Sequence, residues 1–121
     1  GVKLYIIGEG SLHTKLQDLV RKENLSRNVI FLGIVSEDNL IKWYNKAEIF
    51  VLPSLFEGFG IVCIEAMACG TPVIATDVPG VVDIADNKNC LLVPSRNVKK
   101  LAEAILKLLK NKLLRKTLAE N

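Results

Sequence analysis

Short β-rich runs alternate with helical stripes along the whole chain, and little sequence separates them. Residues 2–7 (VKLYII) are strand-forming and are closed by Gly8-Glu9-Gly10. Leu12, Leu16, Leu19 and Val20 then recur at helical spacing, with Ser11 placed as the N-cap. Residues 28–32 read as a second strand, ended by Gly33. Ser36 caps the next helix, Glu37 and Asp38 suit the positive end of its dipole, and Leu40, Ile41 and Tyr44 form its apolar stripe. Residues 48–52 are a third strand, a helix follows over about 60–68, and Cys69-Gly70-Thr71-Pro72 breaks it. Residues 73–75 and 90–93 supply two more strands. Val98, Leu101, Ile105, Leu108 and Leu109 stripe a long helix, which Leu113, Leu114 and Leu118 either extend or follow with another.

Such alternation is a series of βα units. It predicts an α/β fold, a Rossmann-like, doubly wound parallel sheet with helices on both faces. The third strand is apolar throughout, as a strand covered on both sides must be. In these sheets ligands bind beyond the carboxyl ends of the strands, so loops 8–11, 33–36, 53–60 and 76–80 are the ones to search. At 121 residues, half of them apolar, the chain suits one domain with a sizeable core. A net charge of +3 is too slight to argue for nucleic acid. Three cysteines without a CxxC pair, and a single histidine, argue against a disulfide framework or a zinc site and suit a reducing, cytoplasmic setting. No apolar run approaches the ~18 residues of a membrane span.

Two loops carry chemistry. Gly8-Glu9-Gly10 begins like a dinucleotide fingerprint, but His13 stands where the third glycine belongs and no acid closes the next strand. A tight turn using glycine's freedom explains it better. Loop 53–60 is more informative. Gly58 and Gly60 leave the backbone bare at the start of a helix, where N–H groups and the dipole can seat a phosphate. Glu57 precedes that helix and Glu65 lies inside it, so a polyol could be held at each end. The plainer alternative is an acid at a helix N-terminus for dipole reasons alone, with Glu65 on a solvated face. Against that stands the company of Glu65: Val62, Ile64, Ala66 and Ala68 are apolar or small, so the carboxylate needs a partner.

The stretch EGFGIVCIEAMACGTPVIAT, from Glu57 to Thr76, closely resembles the signature of the group-1 (GT4-type) retaining glycosyltransferases of GT-B fold, including its E-x7-E element. LYIIGEG ending at Gly10, VIFLG ending at Gly33 with Val35 and Leu40, and AEIFVLPS ending at Ser54 resemble the family's neighbouring segments, so the likeness covers nearly the whole chain. It implies a single partial domain, residues 1–121, that binds a nucleotide-diphosphate sugar. It implies an enzyme that transfers a hexosyl unit to a glycan or lipid-linked acceptor, with no metal and no cofactor beyond the donor. Glu57 would be the catalytic contact to donor-sugar hydroxyls. Gly58, Phe59, Gly60, Ile61 and Val62 would face the sugar and diphosphate, and Glu65 would hold the ribose hydroxyls. Gly8, Gly10, Gly33, Ile34 and Val35 would form the nucleotide loop. A fragment that only binds nucleotide, or a nucleotide-sugar epimerase of the same fold, are the competing readings.

The sequence departs from the pattern at two places. The family's Gly-Gly-x-x-Glu loop here ends in Asp83, and Cys90 replaces a usual glycine. The resemblance also places before Gly1 a first strand whose loop carries an Arg and a Lys for the diphosphate, and a whole N-terminal domain for the acceptor. Without that βα unit the strand at 2–7 keeps an open edge, through which two copies could pair as a homodimer. Seven basic residues between Lys99 and Lys116, interleaved with leucines, suit either a helix packed on the sheet or a peripheral contact with the cytoplasmic face of a membrane. His13 is expected on a helix surface, Trp43 and Tyr44 in packing, and Cys63 and Cys69 in the core.

Overall fold

The expected alternation appears as β1 (Leu4–Ile7), α1 (His13–Lys22), β2 (Val29–Gly33), α2 (Glu37–Lys46), β3 (Phe50–Leu52), α3 (Ile61–Ala68), β4 (Val73–Thr76), β5 (Leu91–Val93), α4 (Val98–Lys110) and α5 (Lys112–Glu120). The computed structural model describes residues 2–8, 10–53, 61–78, 81 and 89–120. They fall into two compact units, Gly1–Leu40 and Ile41–Asn121.

In the first unit β1 and β2 pair in parallel, Leu4 opposite Val29, and a register shift after Ile6 sets Ile7 opposite Gly33. Among the described residues β1 has no second neighbour. Leu4 and Ile7 are exposed accordingly. Ser11 is not the cap that the sequence suggested. Helix α1 is preceded by a turn in which the His13 N–H donates to the Gly10 carbonyl, Leu12 takes the N-cap position and no side chain caps it. The helix ends in a Schellman motif: Leu25 N–H reaches the Val20 carbonyl (2.9 Å), Asn24 N–H reaches that of Arg21 (3.1 Å), and Asn24 adopts φ 56°. Ser36 does cap α2, its Oγ accepting from the Asn39 N–H at 3.2 Å.

In the second unit three parallel strands lie in the order β3-β4-β5. All four residues of β4 are buried, which requires cover on both faces. On one side Ile74 joins Val93, Ala104, Leu108 and Leu118 beneath α4 and α5. Val73 and Ala75 alternate to the opposite side, and α3, with Cys63 and Ala66 fully buried, packs against β3 and β4. The leucine stripe beyond Val98 makes two helices rather than one. Asn111 stops α4, and its Oδ1 accepts from the Leu114 N–H (2.9 Å) to start α5. The Arg115 guanidinium then donates to the end carbonyls of α4, Leu108 at 2.6 Å and Leu109 at 2.9 Å. On α4 Ala104 and Leu108 are buried in the core and Leu101 and Ile105 pack against it, while Leu106 is exposed.

Candidate functional site

In the first unit the two loops assigned to a nucleotide meet. Gly8 donates its N–H to the Gly33 carbonyl at 2.8 Å, with φ 111° at Gly8 and 69° at Gly33. Side-chain-bearing residues rarely adopt either angle, so the turn needs glycine at both positions. A Cβ at Gly8 or Gly10 would meet nothing within 4 Å, which leaves both backbones open to a ligand. Ile34 is strongly exposed and Val35 half-buried just beyond. Beneath the turn lies a cavity of about 230 Å³ between Ile6, Ile7, Leu12, Leu16 and Phe31. His13 also lines it. The sequence placed His13 on a surface, but its ring is half-buried and meets Phe31 edge-on, centroids 5.1 Å apart.

In the second unit the candidate is built around α3. Its exposed side carries Ile61, Ile64 and the carboxylate of Glu65, while Val62 is half-buried. Glu65 thus lies on a solvated face, as the plainer alternative had it, and it also has a hydrogen-bond partner. The Tyr44 hydroxyl on α2 donates to Glu65 Oε2 at 3.2 Å. Tyr44 is 3% exposed. Burial, and after it the charge and hydrogen bond of Glu65, push the phenol well above its ordinary pKa, so the hydroxyl stays a donor.

Tyr44 is itself held from two sides. Its ring meets Phe50 of β3 edge-on at 5.4 Å and 83°. Its backbone carbonyl, one of the last four of α2, accepts the hydroxyl of buried Thr71. Thr71 stands there because α3 ends in a second Schellman motif. Gly70, at φ 75°, donates to the Met67 carbonyl (3.0 Å), and Thr71 N–H donates to that of Ala66 (3.0 Å). The Cys-Gly-Thr-Pro break is thus the end of one helix and the clamp on the end of another. The sequence assigned Tyr44 to packing, which its burial bears out, and did not pair it with Glu65. The available signal was an acid in an apolar helix that needed a donor, with a phenol in the preceding helix.

A second opening, about 170 Å³, lies at the carboxyl ends of β3, β4 and β5, where Pro53, Thr76, Pro94 and Arg96 line it. Arg96 adopts φ 56°, unusual for a side-chain-bearing residue. Glu57, Gly58, Phe59, Gly60 and Asp83 lie outside the described residues. No cluster of three metal-ligating side chains occurs among the described residues, and no helix there is long and apolar enough to cross a membrane.

The family model described as "Glycosyl transferases group 1" matches residues 1–121. An uncharacterized glycosyltransferase of Methanocaldococcus jannaschii is 45% identical over 117 residues, covering 96% of this chain and 33% of that protein. A crystal structure of a Staphylococcus aureus TarM point mutant, in complex with fondaparinux, alpha-GlcNAc-glycerol and UDP, superposes with a TM-score of 0.89. It is 36% identical and covers 98% of this chain and 24% of that one. The C-terminal domain of a group 1 family glycosyl transferase from Francisella tularensis superposes with a TM-score of 0.80. It is 32% identical over 91% of this chain and 57% of that one. The chain spans about a third or less of the length of the curated relatives it matches.

Proposed function

The chain belongs to the group 1 glycosyl transferases, and from that premise we propose that it is the donor-binding part of a retaining enzyme. The donor is a nucleotide-diphosphate sugar, and the hexosyl unit passes to a glycan or lipid-linked acceptor held by a domain outside this chain. The observation that carries the reading is Glu65, an exposed carboxylate on the helix after β3, fixed by a buried phenol. A charged acceptor held in one orientation suits the paired hydroxyls of a ribose. The bare turn at Gly8 and Gly33, with Gly10, Ile34 and Val35, lies against the nucleotide. Gly58, Phe59, Gly60, Ile61 and Val62 offer backbone N–H groups to the diphosphate, where the dipole of α3 favours negative charge.

Catalysis on this reading needs no metal or cofactor. Glu57 takes the donor-sugar hydroxyls, and the oriented N–H groups stabilise the charge that develops on the leaving diphosphate. The TarM structure, in complex with UDP and alpha-GlcNAc-glycerol, supports a nucleotide donor. The test is Glu65→Gln in the full-length protein, titrated calorimetrically with UDP, GDP and ADP. Affinity for the preferred nucleotide should fall about tenfold or more, as for a lost charged hydrogen bond, with an unchanged melting temperature. Unchanged affinity overturns the role of Glu65. NMR of the product linkage decides retention against inversion.

A further inference from the structure

The reach of Tyr44 into the site deepens this reading and rests on it. We infer that Tyr44 is a positioning residue, which orients the Glu65 carboxylate for the ribose hydroxyls without touching the nucleotide itself. The hydroxyl donates to one carboxylate oxygen, Oε2, at 3.2 Å. Among the described residues no side chain other than Tyr44 hydrogen-bonds the carboxylate and no cation pairs with it. With respect to those residues Oε1, and the remaining lone pair of Oε2, stay available to a diol. A glutamate on an exposed helix face would otherwise sample many rotamers. The phenol cannot follow it, because Phe50 bounds the ring and Thr71 fixes the α2 backbone at the same residue. Loss of the Tyr44 hydroxyl would leave the carboxylate charged and present but free to turn.

The test measures nucleotide affinity in the full-length protein and in its Tyr44→Phe variant. Each is titrated with whichever of UDP, GDP and ADP binds tightest, and with the dideoxy counterpart that lacks both ribose hydroxyls. Phenylalanine keeps the ring against Phe50. The variant should bind the ribonucleotide about five- to tenfold more weakly, a fraction of a full charged hydrogen bond, and the dideoxy compound as tightly as before. In a Glu65→Ala background the Tyr44→Phe change should have no effect on either. Equal weakening of both ligands, or none, overturns the positioning role. If the unaltered protein binds the two ligands equally, Glu65 does not read the ribose, and the underlying assignment fails as well. Should the phenylalanine variant not fold, Glu65→Asp carries the test, because it withdraws the carboxylate from the phenol by one methylene. It should lose discrimination against the dideoxy ligand, and discrimination kept in full refutes the inference.

Discussion

Replacing Thr71 by valine asks whether one hydroxyl holds the end of α2. Thr71 is 3% exposed, and its Oγ1 donates to the Tyr44 carbonyl. Valine puts a methyl group in place of that oxygen and opens no cavity. The carbonyl is left buried and without its donor, which costs about 1–3 kcal/mol. With a urea m-value of about 2 kcal/mol/M, the midpoint should fall by about 1 M. Serine keeps the hydroxyl and gives up one buried methyl, worth about 0.8 kcal/mol. The order of stability should therefore be threonine, then serine, then valine. Trp43, the chain's single tryptophan, sits one residue from the bond and reports the transition by fluorescence. A purely packing role for Thr71 gives the opposite order, since valine keeps both branches and serine loses one. A valine variant as stable as the serine variant would refute the reasoning. The same variants should separate in nucleotide affinity, with valine the weaker, because Tyr44 is the residue whose position they change.

The raised pKa of Tyr44 gives a pH signature. The folded state holds the phenolic proton more tightly than the unfolded chain, so this contribution is complete below about pH 10, the ordinary tyrosine value, and is lost as pH rises above it. Denaturation midpoints should fall more steeply above that pH in the unaltered protein than in Tyr44→Phe, and identical slopes would contradict it. Leu108→Ala removes a fully buried side chain from the cluster formed with Ile74, Val93, Ala104 and Leu118. It should cost about 3 kcal/mol and lower the melting temperature by about 10 °C, as read by calorimetry.

The apolar periodicities made the fold legible, because period-two and period-3.6 patterns report which faces meet a core. The Ser36 cap followed from local chemistry alone. The Ser11 cap failed because the backbone turn between Gly10 and His13 sets where α1 begins. The division of the leucine stripe into α4 and α5 was left open, since it depends on Asn111 and on Arg115 reaching back to Leu108 and Leu109. His13 was misplaced because periodicity does not show that its ring meets Phe31, eighteen positions along the chain. At Glu65 the apolar neighbours in sequence suggested burial, but the carboxylate is exposed and has a partner all the same. That partner was not legible, since Tyr44 lies 21 residues away and only the folded chain brings its hydroxyl to Glu65.

The kind of partner matters as much as its presence. A lysine or arginine would satisfy a carboxylate in apolar company at least as well, but it would also neutralise the charge and occupy the oxygens that a diol needs. A phenol gives one hydrogen bond and no charge. Its burial raises its own pKa, so Tyr44 keeps its proton and remains a donor to Glu65. The cost is that a buried tyrosine must be held in place, and the ends of two helices do this together. Gly70 turns the chain out of α3, and Thr71 closes the carbonyl of Tyr44 at the end of α2. If Glu65 reads the ribose as proposed, Gly70 and Thr71 serve that site as well as the fold, although neither side chain hydrogen-bonds Glu65.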